Sequence, residues 1–418
     1  MRNTCRFQYF ISDIQNSPEK EVEINPPHVR EFLIIESLEN LFLTAELEIA
    51  DNAAFFSSMP LTGEETIKIV MTQEILPSKD GDKEADITKV VEFKIFNIQL
   101  IDSSISSKVY RFYLAEKCAF DFLVTNTSLS YHQKLVSEIM TDISINQLKL
   151  TTEEFDYEKT DEKMDFIIPF WNPLQTIKHL QKKARREKNP KEAGFVFYST
   201  IGSRDALRPM KRFVSLATLI EAKTPTDDKD KYYLNRADVN PFFINNIKEM
   251  SQSSFCKRSI LKDGIGGKRY FGFTPSIDKN LVEITKVYSD WFKKAATTAK
   301  VSYLKAEIDG INGDIGFYGG TANMIEARQD SSFRYLLTSY SKREVIVEGF
   351  LDRYAGQVIW INQSSENPEE PYQKQDTGKW LVKTITHHYS GGEFTQKMII
   401  VKDSFTETDA EGFITKDV

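Results

Sequence analysis

Apolar and polar side chains alternate most strictly at 41–49. There Leu41, Leu43, Ala45, Leu47 and Ile49 point one way and Thr44, Glu46 and Glu48 the other. That period of two predicts a strand with one buried and one wet face. A partner strand precedes it at 32–35, across the connection 36–40. A longer pattern is then written twice. Gly63 leads into a strand at 65–71, followed by a charged spacer at 76–88 with Pro77 and Gly81, a strand at 90–101, a small-residue turn at 103–107 and a returning strand at 109–115. Near the other end, Gly356 leads into a strand at 357–362, a polar spacer at 363–378, a strand at 380–389, the turn Ser390-Gly391-Gly392 and a return at 393–402. Strand, long polar loop, strand, tight turn, strand: the two meanders predict two copies of one small β module. They should share strand order and hand, with their spacers projecting in corresponding directions. Were they to lie in one continuous sheet, or in unrelated topologies, the likeness would be accidental.

Between the meanders the period lengthens. At 131–145, Leu135, Val136, Ile139, Met140 and Ile143 recur at helical spacing, and 151–165 is acidic and loop-like. A second helix starts with Asn172 as N-cap and Pro173 at the first position, where its missing N–H costs nothing. Its stripe is Leu174, Ile177, Leu180, Gln181 and Ala184. With strands expected at 195–199 and 213–220, this section reads as α/β. The polar stretch 224–240 marks a boundary. Strands at 242–250 and 268–273 flank the turn 262–267, 281–292 is amphipathic, 296–308 reads as strand and 310–320 as a Gly-rich loop. Strand pattern resumes near 333 and runs to 403, and 406–418 forms a polar tail expected to be mobile.

Length and composition support several packed domains. The 418 residues exceed one ordinary core, and 40% hydrophobic with 12% aromatic content can fill two to four. The 29 Phe and 17 Tyr suit sheets, where aromatics pair across strands. A net charge of −7 argues against a dedicated nucleic-acid binder. The basic run 182–188 follows the second helix, where cations complement the macrodipole, and reads as a solvated helix end. Cys5, Cys118 and Cys256 lie far apart without metal spacing, which predicts free thiols in a reducing compartment. Neither a signal-peptide core nor a stretch long enough to span a membrane is expected.

The motifs that resemble chemistry each fail a test. Gly391-Gly-Glu-Phe394 resembles the signature of diguanylate cyclases, but lacks the acidic residue between the glycines and Glu393 that helps hold their metal. Two glycines between strands are what a tight hairpin requires. Gly264-Ile-Gly-Gly-Lys-Arg269 resembles a phosphate-binding loop, but has Lys262 where a glycine is needed and Arg269 where a Ser or Thr is needed. His387 and His388 are neighbours on a strand, so they face opposite sides and cannot share a metal. The run 309–314 lacks the alternating spacing and terminal Glu of a calcium loop. No catalytic, cofactor-binding or metal-ligating residue is therefore predicted, and no cofactor.

In order, these pieces resemble the baseplate (tail-tip) hub proteins of tailed bacteriophages and related contractile injection machines. The likeness is carried at the N-terminal end by 43–51, 63–69 and 110–114. It continues through Val136-Ser-Glu-Ile-Met140, Phe170-Trp-Asn-Pro-Leu174 and Gly194-Phe-Val-Phe-Tyr198. It ends with 355–361, 378–382 and His387-His-Tyr389 leading into Gly392-Glu-Phe-Thr-Gln396. The resemblance implies a β-rich α+β fold with two similar antiparallel β-barrels and an inserted α/β region. Its division here would be a first barrel at 1–116, middle domains at 117–240 and 275–340, and a second barrel at 241–274 and 341–405. It further implies a homotrimer forming a pseudo-sixfold ring that adapts a sixfold tail tube to a threefold central spike, among other baseplate proteins. Phage DNA would pass through the lumen without specific binding, in a virion tail assembled in the host cytoplasm. Any puncturing or lytic activity would belong to a partner, since no spike or hydrolase is fused here. The rival readings are a β-rich peripheral receptor- or glycan-binding tail protein and a cell-wall hydrolase using two of the many carboxylates.

Overall fold

The computed structural model describes residues 5–13, 21–51, 56, 61–74, 86–104, 107–189, 192–202, 205–223, 231–234, 245–252, 267–273, 281–299, 301–302, 314–319, 322–338, 341–363 and 377–405. The fold is β-rich α+β, dominated by one large, mainly antiparallel sheet. The predicted alternation at 41–49 appears as Thr44–Asp51, with Ala45, Leu47 and Ile49 buried and Thr44, Glu46 and Glu48 half-buried. It pairs with Val29–Ser37 on one side and Lys108–Glu116 on the other.

Both meanders are present. Thr66–Gln73 pairs with Ile87–Ser103, which pairs with Lys108–Glu116. Val358–Gln363 likewise pairs with Gly378–Ser390, which pairs with Glu393–Lys402. In each half the likeness extends two strands beyond the meander. Beyond Lys108–Glu116 come Thr44–Asp51 and Val29–Ser37, and beyond Glu393–Lys402 come Ser341–Glu348 and Ile247–Gln252. All of these pairings are antiparallel.

The two halves correspond residue by residue. Thr66 opposes Lys94, which opposes Ala115, which opposes Thr44. In the second half Val358 opposes Leu381, which opposes Val401, which opposes Lys342. On that alignment the irregularities coincide. The central strand slips register between Ile95 and Asn97 in one half and between Val382 and Thr384 in the other. The outer strand slips between Val29 and Glu31, and between Ile247 and Glu249. A bulge inserts one residue and reverses which face later side chains occupy, so its position is a specific feature of a sheet. The second half departs at its last strand. Tyr232–Leu234 joins Val358–Gln363 in parallel, whereas Cys5–Ser12 joins Thr66–Gln73 antiparallel.

Two similar barrels were expected. Gly378–Ser390 pairs with Val29–Ser37, so all these strands belong to one continuous sheet. Its laddered path runs from Ile247–Gln252 to Val22–Ile24, and Tyr232–Leu234, paired with Val358–Gln363, also meets Asn245 and Asn246 beside Ile247, which brings the second half round on itself. Continuity alone would fit either a single sheet or two modules meeting edge to edge. One continuous sheet is the outcome expected of an accidental likeness, and against it stand the bulges that coincide in the two halves. The spacers at 76–88 and 363–378 fall mostly outside the described residues, as does the tail 406–418.

The two halves have distinct cores, the first of which also takes in Leu351 and Phe394 of the second half. One gathers Tyr9, Phe32, Leu47, Ile69, Phe93 and Phe112, the other Val345, Ile361, Trp380, Ile385, Met398 and Ile400. Between the halves in sequence lies the α/β insertion, whose core includes Ile139, Phe166, Ile177, Leu180 and Phe197. Its helix Pro173–Gln181 starts as expected, with Asn172 and Gln175 capping each other reciprocally.

Several expectations are corrected. Residues 131–135 belong to the strand Ser130–Leu135, paired with Lys163–Ile167, and the helix begins at Val136. Only Met210–Ser215 of the region near 213–220 is strand. Ser215 then caps the helix Leu216–Glu221. Ala322–Thr338 is a helix, so strand resumes only at Ser341, and Asp314–Gly319 is a strand within the expected Gly-rich loop. Among the described residues of 241–274, only Ile247–Gln252 joins the large sheet. Gly267–Phe273 pairs instead with Leu281–Val287 and Asp314–Gly319 in a separate small sheet. The run 182–188 is not simply a solvated helix end. Arg186 is only 5% exposed, donating to Glu158 (2.7 Å) and in a fork to Glu221 (2.8 and 3.1 Å). Arg185 is buried against Asp161 at 2.6 Å.

Candidate functional site: the junction between the two halves

The seam Gly378–Ser390/Val29–Ser37 pairs Thr384 with Ser37 at one end and Ser390 with Glu31 at the other. Alternation sets the two histidines on opposite faces, as predicted. His388 reaches Glu31 at 2.8 Å on a half-exposed face, and His387 points into the interior. There it meets Glu36, with Nε2 2.5 Å from Oε1 and both side chains fully buried. The other carboxylate oxygen of Glu36 accepts from Thr200 Oγ1 (2.6 Å), the Ile201 N–H (3.3 Å) and the Ala355 N–H (3.2 Å). One acid thereby ties its own strand to the opposite half, to the insertion and to the loop entering the second meander. A buried carboxylate is tolerated only when its lone pairs are used in this way.

Gln396 sets the state of His387. Its carbonyl oxygen accepts from the Phe350 N–H (3.1 Å) and from Arg353 (2.8 Å), and its amide donates to the Phe350 carbonyl (2.8 Å) and to His387 Nδ1 (2.9 Å). Nδ1 is therefore an acceptor, which puts the imidazole proton on Nε2, facing Glu36. Arg353 continues inward to Tyr232 (2.8 Å) and Asn245 (2.9 Å). From the first half, Gln73 clasps the same loop, donating to the Gly349 carbonyl (3.1 Å) and accepting from the Leu351 N–H (2.8 Å). Gly349 itself is required, because a Cβ there would lie 2.1 Å from the Phe394 ring.

This network positions backbone and is sealed from solvent. It is a structural clamp. The insertion is fastened to the first half in a similar way, with Lys211 paired to Glu116 and 3.1 Å from Ser199. Burial pushes the Lys211 ammonium down, and Glu116 and Cys118 beside it more than reverse that shift. The region after Leu281 is anchored by Arg334, buried between Glu192 (2.9 Å) and Asp403 (3.2 Å).

Of the motifs that resemble chemistry, the Gly-Gly-Glu-Phe run falls on a described hairpin. Gly391 (φ 59°) and Gly392 (φ 83°) form a two-residue hairpin loop closed by the pair Ser390 and Glu393, with a backbone that favours glycine at both positions. Gly267 to Arg269 begin a strand, while Gly264 lies outside the described residues. Burial pushes the Cys5 and Cys118 thiols up to about 12, opposite to the shift that makes a nucleophilic thiolate, and Cys256 lies outside the described residues. Among the described residues, no group of three or more His, Cys, Asp or Glu side chains is placed to hold a metal, and no helix is long and apolar enough to cross a membrane.

No protein-family model and no curated protein sequence matches this chain. Solved structures do. The 43 kDa tail protein of prophage MuSo2 from Shewanella oneidensis aligns over 96% of this chain and 100% of its own, at TM-score 0.57 and 10% identity. A tail protein from Neisseria meningitidis MC58 aligns over 95% and 97%, at TM-score 0.56 and 8% identity. The chain has the fold of phage tail proteins. A Francisella PdpA–VgrG complex supplies a further match, over 96% of this chain at TM-score 0.50 and 8% identity; there the alignment spans only 53% of the longer chain. The tail-protein alignments run essentially end to end, so they include the insertion as well as both halves of the sheet.

Proposed function

We propose that this chain is a structural tail-tip hub: a homotrimer whose six similar β modules form a ring between a sixfold tail tube and a threefold central spike. The observation that carries the reading is the coincidence of the bulges in the two halves. Equivalent positions around a ring require equivalent edges, and two modules matched at that level in one chain supply them. The tail-protein fold favours the same role, and the sealed junction suits a load-bearing part better than a catalytic one. The protein then resides in the virion tail with other baseplate proteins, and phage DNA passes through the lumen without specific binding. The acidic balance is compatible with that passage, since like charge lowers affinity for phosphate.

Light scattering on the purified protein, alone and with its tube and spike partners, tests the ring. A mass of three subunits is expected. A single-subunit mass in the presence of both partners would refute the ring. Electron microscopy of the tail tests the location: three copies on the axis fit a hub, and many peripheral copies would fit an adhesin instead.

A further inference from the structure

Outside the large sheet, the small unit built on Leu281–Val287 holds a cation between two carboxylates. Lys286, near the end of that strand, is half-buried. The helix Ala322–Thr338 offers Glu326 and Asp330, four positions apart and so on one face. Lys286 Nζ lies 2.5 Å from Asp330 Oδ1 and 2.9 Å from Glu326 Oε1. Asp330 is buried, and its other oxygen, Oδ2, is sealed from solvent with no hydrogen-bond partner among the described residues.

These surroundings favour uncharged partners over an ion pair. A sealed carboxylate with one oxygen unpaired is costly. Burial pushes the Asp330 carboxyl up to about 7, although Lys286 pulls the other way. Passing one proton along the contact from Nζ to Oδ1 leaves a neutral amine against a neutral acid. With a C–O bond of about 1.23 Å, that contact holds Nζ within about 3.7 Å of Cγ. Reacting atoms about 3–3.5 Å apart are already in a near-attack arrangement. Tyr288, Trp291 and Phe333 supply an apolar cluster alongside. Beside the group opens a cavity of about 200 Å³, lined by Trp291 together with Lys286, Glu326 and Asp330.

We propose that Lys286 and Asp330 condense into an isopeptide bond, with Glu326 relaying the proton. The neutral Nζ attacks Cγ of the protonated acid and forms the N–C bond. The Glu326 carboxylate takes a proton from the attacking nitrogen and returns it to Oδ1, whose bond to Cγ breaks as water leaves. Oδ2 remains as the amide carbonyl oxygen. Nothing is oxidised or reduced, and no co-reactant is needed. The product removes two buried charges and fastens the strand to the helix. Arg334, four positions beyond Asp330, already anchors that helix to Glu192 and Asp403. A unit with a buried cluster this small is where a covalent staple stabilises most.

Intact-mass spectrometry of the full chain tests the bond. The wild type should be lighter than its sequence by one water molecule, and a tryptic digest should contain a branched peptide joining Lys286 to Asp330. Lys286→Arg keeps the positive charge but should restore the full mass, because a guanidinium stays protonated and does not attack. Glu326→Gln should keep the wild-type circular dichroism and leave most chains uncondensed. A wild-type chain of full mass overturns the proposal. So does a water lost within a linear peptide, or a loss that persists in Lys286→Arg. Condensation undiminished in Glu326→Gln overturns the relay.

Discussion

Glu36 and His387 stand 351 positions apart in sequence and share a 2.5 Å hydrogen bond at the fully buried centre of the seam. Since Gln396 donates to Nδ1, the histidine is the donor in that bond and the carboxylate collects four donors in all. Replacing Glu36 with Ala strands those donors, including two backbone N–H groups. Loss of a buried charged acceptor of this kind costs about 3 kcal/mol or more. Urea unfolding of Glu36→Ala should show that loss, and an unchanged midpoint would mean the clamp contributes little. Glu36→Gln keeps the volume but turns an NH2 toward donors, so an intermediate loss is expected.

Two glycines with similar backbone angles should respond differently to the same change. Gly356 has φ 90°, and a Cβ there would lie 2.3 Å from the hydroxyl of buried Tyr198. Gly391 has φ 59°, and its Cβ would meet nothing within 4 Å. Gly391→Ala then carries only the left-handed backbone cost, about 1–2 kcal/mol. Gly356→Ala adds a clash at the start of the second meander and should lower the melting temperature markedly more. Equal shifts for the two variants would contradict this packing.

Lys89 supplies a pH dependence. Burial pushes its ammonium down to about 8, against partial compensation by Asp352, Glu36 and Asp205; its amine donates to the Ala206 carbonyl at 2.6 Å. An unfolded lysine titrates near ~10.4. Between those values the unfolded chain holds a proton that the folded chain has released, so this residue's contribution to stability rises with pH through that window. Below the folded value the penalty is fully present. Unfolding free energies of wild type and Lys89→Met, compared at about pH 8 and about pH 10, should show wild type gaining relative to the variant. A constant difference would remove Lys89 as the cause.

Glu393 tests the absence of chemistry at the Gly-Gly-Glu-Phe sequence. It sits exposed in the hairpin beside the two glycines. Glu393→Ala should leave the circular dichroism and melting curve close to those of wild type. Nucleotide turnover or wall hydrolysis that disappears in this variant would overturn the structural reading.

Local rules made much of this fold legible. Strict alternation identified Thr44–Asp51, the Asn172-Pro173 pair fixed a helix start, and paired glycines marked the 390–393 hairpin. Each of these signals acts over a few residues. The misreadings share a different cause. Helical spacing at 131–135 was overridden by pairing with Lys163–Ile167, and 333–338 reads as strand but extends a helix held by Arg334. Arg185 and Arg186 looked solvated because their partners Asp161, Glu158 and Glu221 are remote in sequence.

By itself the sequence determined the two meanders, their internal strand order and the turns within them, because short-range periodicity and turn chemistry specify hairpins. Only the tertiary structure decided how the halves meet. The Val29–Ser37 seam, the matched bulges and the Glu36–His387–Gln396 clamp depend on edges and buried lone pairs brought together from distant segments. A hydrophobic pattern states which face is buried, but an edge is made of backbone N–H and C=O groups that every residue carries, so its partner is not written in side chains.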